Sequence, residues 1–218
     1  MDDKRAGRLA DFLANLHDNG RKKIQGKQAL AKYQGLMQSP APNRHCAINY
    51  TRDNKASLRD HLFRFFKEPA GNTSVVLVHV DDKRDWVRFI RFVSKGGGDF
   101  NAETISLTGK GVEGFNGFGY RYEHPEAEGD EHNYFHVQPI SETCLNEKIP
   151  GLPAWFSFRF PTFYMRAENS YELSIYAISS LCSWKELRTY QTTAHDDCWL
   201  LNHLIRQGAE ASARSIAK

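Results

Sequence analysis

The stretch from Ser74 to Gln138 most limits what this chain can fold into, because glycine and charged turns cut it into short extended runs. "SVVLVHV" (74–80) is a continuous β-branched run, the pattern of a strand buried on both faces. Lys95-Gly-Gly-Gly98 breaks the chain, and further strand-like runs follow at 103–108, 117–124, 132–138 and 155–160. Short runs in close succession predict a mostly antiparallel sheet. "RDWVRFIRFV" (84–93) fits two periods. Val87, Phe89, Arg91 and Val93 alternate as in a strand, while Trp86, Phe89, Ile90 and Val93 fall on one face of a helix. Coming after a charged turn, this segment is read as a helix.

Helical signals flank the sheet. Leu9, Phe12, Leu13 and Leu16 make an apolar stripe over residues 4–19, and Gly20 follows as a stop. A weaker stripe of Ile24, Leu30, Tyr33 and Met37 runs over 24–37 and ends at the turn-rich "QSPAPNRH". Ser57 can cap a helix to about Lys67 with Leu58, Leu62, Phe65 and Phe66 inward, and Pro69 ends it. Two more helices are expected near 170–183, capped by Asn169 or Ser170, and near 194–216, where Thr193 and Asp196 form a T-x-x-D box. The predicted fold is α+β: a mostly antiparallel central sheet with flanking helices and an N-terminal helical arm. The arm covers residues 1–40, and a single domain covers 41–218.

No run approaches the roughly 18–20 apolar residues that cross a bilayer, and "MDDKRAGRLADF" lacks an apolar core for export. Cys46, Cys144, Cys182 and Cys198 lie far apart with no CxxC pair, which suits reduced thiols. A cytoplasmic protein with no membrane association is expected. Charge is uneven: residues 1–35 and 52–95 each carry +4, and residues 99–147 carry −8. A basic N-terminal half offers phosphate contacts, with Arg21, Lys22 and Lys23 the densest group.

Two apparent motifs dissolve on inspection. Gly109-Lys-Gly111-Val-Glu-Gly114 spells G-x-G-x-x-G, but a dinucleotide site needs a helix directly after it, and "FNGFGYRYE" starts none. His195-Asp-Asp-Cys198 resembles a ligand cluster, yet it falls in an expected first helical turn, where acidic residues favour the helix dipole. No HxH, HExxH or paired-Asp motif occurs, so neither metal nor cofactor is expected.

"YRYEHPEAEGDEHNYFHVQP" (120–139) carries the strongest functional signal. Paired as a hairpin around 125–131, its simplest register sets His124 opposite His132, Tyr122 opposite Tyr134 and Tyr120 opposite His136, all on one face. Opposite residues have Cβ atoms about 5 Å apart, so His124 and His132 could share a proton, a phosphate or a metal. His132 and His136 stand about 13 Å apart along the strand, too far to hold one ion. Histidine titrates near neutrality, and tyrosine stacks on bases or donates to phosphate oxygens.

"YRYE", an acidic loop, "FHVQP" and then "FRFPTFYMRAENSYELSIYAISSLC" follow one another over residues 117–183. This order resembles a loose group of bacterial proteins, some of them toxins of toxin–antitoxin pairs. In that group a strand-borne His-x-His element precedes an Arg/Pro-rich turn and a helix opening with Glu-Leu. Here the strand reads His132-Asn-Tyr-Phe-His136 in place of His-x-His. The resemblance implies a bacterial cytosolic protein that acts on nucleic acid.

Two readings result. In the first, the His/Tyr face binds or cleaves RNA. His136 or His132 is general base toward a 2′-hydroxyl, the other or His124 is the acid, Arg121 meets the phosphate charge, and Tyr122 and Tyr134 contact the nucleotide. In the second, the protein is a non-enzymatic interaction module. Its N-terminal helices dock a protein partner or a second copy, and the histidine hairpin is structural.

Overall fold

The computed structural model of the chain describes residues 1–24, 45–46, 55–69, 73–81, 86–96, 98–112, 115–125, 134–139, 163–195 and 198–216. They form an α+β fold. The strands are β1 (His45–Cys46), β2 (Thr73–Asp81), β3 (Trp86–Gly96), β4 (Asp99–Val112), β5 (Phe115–Glu123), β6 (His136–Pro139) and β7 (Phe163–Tyr164), lying side by side in chain order. β1 runs parallel to β2, and every other neighbouring pair is antiparallel. The helices are α1 (Asp3–Ile24), α2 (Lys55–Lys67), α3 (Ser170–Ser179), α4 (Trp184–Ala194) and α5 (Trp199–Ile216).

Residues 84–93, expected as a helix, contribute β3 instead. The β3 backbone pairs with β2 on one side and β4 on the other, so its N–H and C=O groups are satisfied by strands rather than within a turn of helix. The alternation then sorts the side chains. Ile90 and Phe92 join the core, while Arg91 takes the opposite face beside Glu103. β3 and β4 pair as a hairpin, with a bulge between Ser94 and Gly96 and Gly98 at φ +94°.

One face of the sheet carries the aromatic core. Phe66 of α2 meets Phe92 edge-on at 5.0 Å and Phe100 at 5.6 Å, and Phe65 meets Phe100 at 5.5 Å. Leu58, Leu62, Phe65 and Phe66 are the inward residues of α2, as its spacing predicts, although the helix starts at Lys55 rather than at a Ser57 cap. α1 packs on α2 and β2, and its Ala6, Leu9, Ala10, Leu13 and Ala14 are fully buried in the same apolar cluster. The helix expected to open an arm over residues 1–40 is thus part of the core. It also continues through Gly20 to Ile24, because packing along its length outweighs the roughly 1 kcal/mol that an interior glycine costs.

The C-terminal part differs from expectation in its breaks. Asn169, not Ser170, caps α3, accepting from the Glu172 amide at 3.1 Å. α3 stops at Ser179, and a separate α4 begins with a capping box, Ser183 N–H to Glu186 at 2.7 Å and Glu186 N–H to Ser183 Oγ at 3.3 Å. Thr193 lies inside α4, and His195 closes it in the left-handed conformation at φ 47°. The expected T-x-x-D start at 193–196 is therefore a helix end, and α5 starts at Trp199. The tyrosine hydroxyls of α3 and α4, Tyr171 and Tyr190, share a hydrogen bond of 2.9 Å. Phe12 of α1 packs on Tyr190 at 4.9 Å. Beyond Ile24, the stripe over 24–37 and the strand expected at 155–160 lie outside the described residues.

Candidate functional site

β5 and β6 pair, but three residues out of the expected register: Glu123 faces His136, Tyr122 faces Val137 and Arg121 faces Gln138. An odd shift exchanges faces. His136 therefore joins Arg121 and Glu123 on the face away from the helices, and Tyr122 stays on the helix-covered face. The expected pairing of Tyr120 with His136 and of Tyr122 with Tyr134 does not form. His132 lies outside the described residues.

The face that receives His136 holds a connected polar network. Glu103 of β4 lies between two arginines. Arg91 of β3 donates from Nε at 2.6 Å and also pairs through Nη2, and Arg121 of β5 donates from Nε at 3.3 Å. Glu123 takes Asn101 Nδ2 at 3.3 Å, Gln138 Nε2 at 2.6 Å and His136 Nε2 at 3.1 Å, with Arg121 Nη1 at 3.7 Å. The other nitrogen of His136, Nδ1, faces the carbonyl of Tyr134 at 2.9 Å. Glu103, Glu123 and His136 are all buried. Carboxylates out of water are costly unless each oxygen is met by donors, and here each one is. Both ring nitrogens of His136 face protein oxygens, and the residue is only 2% exposed, so no substrate atom reaches it in this arrangement.

The other sequence-predicted residues separate. His124 sits just past β5 on the helix-covered side, its ring against Phe135 at 4.4 Å and its amide on Asn101 Oδ1 at 3.0 Å. Its Nε2 meets Ser170 Oγ at 2.8 Å. Burial lowers the pKa of its imidazole, with Asp99 pulling the other way. Tyr122 lies in the core, where burial pushes its phenol up. Arg121 belongs to the carboxylate network. Arg21, Lys22 and Lys23 fall in the last turn of α1, and their side chains are not described. Tyr134 remains half-buried beside His136, ring centroids 5.6 Å apart.

Tyr134 also touches an aromatic margin that the sequence reading did not single out. Its ring lies 6.1 Å from that of Tyr164 on β7. Phe163 is 55% exposed and Tyr164 71%. The Tyr176 phenol on α3 is raised by burial, then by Glu172, and also feels Arg166 and Tyr164, which places these groups in one neighbourhood. The Arg166 guanidinium stacks over Trp199 at 4.7 Å, and Trp199 is held by its indole N–H on Glu172 at 3.0 Å. His203 and Arg206 follow Trp199 at helical spacing on α5, and all three are exposed. Two adjacent aromatics in "PTFYMRA" were the available signal, but that run was read only as the Arg/Pro-rich turn of the resemblance.

Among the described residues no group of three or more His, Cys, Asp or Glu side chains is placed to hold a metal ion, and no helix is long and apolar enough to cross a membrane. Comparison of the chain with protein-family models, with curated proteins and with solved structures finds no match.

Proposed function

We propose that this protein binds single-stranded RNA along its aromatic margin, from Tyr134 and Tyr164 across Arg166 and Trp199 to His203 and Arg206. The observation that carries the reading is the exposure of Phe163 and Tyr164 beside a Trp199 already stacked by an arginine. Every base has a π-face, so a row of exposed rings accepts a single strand without reading its sequence, and each stack contributes about 1–3 kcal/mol. Arg166 and Arg206 supply the phosphate charge. The burial of His136 and the occupation of both its nitrogens favour binding over cleavage at this hairpin. Assembly through the N-terminal helices, the competing reading, draws no support from α1, whose apolar stripe is covered by α2 and β2. The buried thiols of Cys182 and Cys198 suit a reducing cytoplasm, which this reading adopts.

Fluorescence anisotropy with a labelled 12-nucleotide RNA tests the reading. Tyr164→Ala and Trp199→Ala should each weaken binding about 5- to 150-fold, the span of one lost stack. Arg166→Ala should also lower the salt dependence. Equal affinity in wild type and both aromatic variants, or no binding by the wild type, refutes it.

A further inference from the structure

A second constellation lies away from the aromatic margin. Asp99 at the start of β4, His124 after β5 and Ser170 at the first residue of α3 are far apart in the chain, yet their side chains meet at one cavity of about 460 Å³. Ser170 Oγ is 2.8 Å from His124 Nε2 and donates to Asp99 Oδ1 at 3.2 Å, and Asp99 Oδ1 is 3.5 Å from the same His124 nitrogen. Because Asn169 takes the capping role, the Ser170 hydroxyl is turned to Asp99 and His124 instead of to its own helix. Asn101 and Phe135 fix the histidine from the other side. The first amides of a helix point out of its end with partial positive charge, where an oxyanion is stabilised.

We propose that Ser170 is a nucleophile with His124 as its general base, forming an acyl-transfer or ester-hydrolysing site for small neutral substrates. Asp99 meets Nε2 rather than Nδ1, so the arrangement is a dyad with a carboxylate beside it. In the neutral tautomer protonated on Nδ1, the Ser170 hydroxyl turns from Asp99 Oδ1 to Nε2, which accepts its proton as Oγ bonds to the substrate carbonyl carbon. The carbonyl π-electrons move to oxygen at the positive end of the α3 dipole, and Asp99 faces the imidazolium that forms. Collapse breaks the bond to the leaving group, which takes the proton from Nε2, and water then releases the acyl group by the same steps with His124 as base. Burial favours the neutral imidazole that this requires. Asp2, Asp99 and Glu168 line the cavity together with Met1 and Arg5, and Lys95 acts on His124 from β3, so charges of both signs surround the site and neither sign of substrate charge is favoured.

The test is labelling of the full chain by diisopropyl fluorophosphate, followed by mass mapping of the modified peptide. Attack forms the Oγ–P bond, expels fluoride and leaves the proton on His124. The wild type should be modified at Ser170, and Ser170→Ala should lose the adduct. His124→Gln should slow labelling about 10²- to 10⁴-fold, the usual weight of a general base. The wild-type labelling rate should rise through one ionisation whose midpoint lies below the ordinary histidine value of about 6.5. An unlabelled wild type, an adduct elsewhere, or a His124→Gln variant labelled at the wild-type rate overturns the proposal. Failure of Ser170→Ala or His124→Gln to fold would not rescue it, because the wild-type adduct and its pH profile decide on their own.

Discussion

Replacing His136 with alanine separates a structural from a contacting role for this buried histidine of β6. Its ring makes two hydrogen bonds, one to the Glu123 carboxylate at 3.1 Å and one to the Tyr134 carbonyl at 2.9 Å. A bond to a charged group contributes about 1.5–3 kcal/mol and a neutral one about 0.5–1.5. Glu123 keeps Gln138, Asn101 and Arg121, so the stranded carboxylate adds little. A partly collapsed ring cavity adds about 1 kcal/mol, for a total of about 3–5.5. Urea unfolding followed by tryptophan fluorescence should show the midpoint lowered by about 1–2 M at unchanged slope. Paired with Glu123→Gln in a double-mutant cycle, the change should show coupling of about 1 kcal/mol or more. A variant as stable as the wild type that nevertheless loses RNA binding would refute the reasoning and make His136 a contacting residue.

Four other outcomes follow from the packing. Gly208→Ala should destabilise by about 1–2 kcal/mol despite alanine's better helix propensity, because its Cβ would lie 2.5 Å from Trp184 Cβ; thermal unfolding reads this. His124 has a lowered pKa when folded, so the unfolded chain takes up its proton first. Its stabilising contribution is complete above about pH 6.5 and is lost as pH falls toward the folded value, and His124→Asn should flatten that part of a stability–pH profile. The Cys182 thiol is pushed up by burial and should react with a disulfide reagent only when urea opens the fold, which absorbance at 412 nm reports. Deleting residues 1–24 should abolish cooperative unfolding in a calorimeter, because Leu9 and Leu13 are core residues; a normal transition in the shortened chain would refute this.

The amphipathic elements were legible where one period dominated. α2 shows its four inward residues at helical spacing, and β2 its β-branched run. β3 was not legible because Trp86, Phe89, Ile90 and Val93 satisfy a helix equally well, and only the neighbours β2 and β4 choose between the two. α4 was missed although Ser183 and Glu186 stand at capping-box spacing, because residues 184–193 fell in the gap between the helices expected near 170–183 and 194–216. The hairpin register failed for a different reason. The loop between β5 and β6 is too long for turn type to set the pairing, and the partners that do set it, Asn101, Glu103 and Arg91, come from other strands. The same holds for the margin and for Ser170. Neither Tyr164 nor Ser170 has a sequence neighbour that announces its role, and both acquire one from residues dozens of positions away.

The arginine–carboxylate ladder across β3, β4 and β5 also constrains strands that could otherwise slide. A slip of one residue would carry Glu103 or Glu123 onto the face of Phe92 and Phe100, which apolar patterning alone forbids. A slip of two residues keeps every side chain on its proper face, so apolar patterning tolerates it. It also displaces each arginine by about 7 Å along its neighbour, leaving a buried carboxylate without its cation. The ladder therefore works as a vernier: the aromatic core selects the face, and Arg91, Glu103 and Arg121 select the alignment within it.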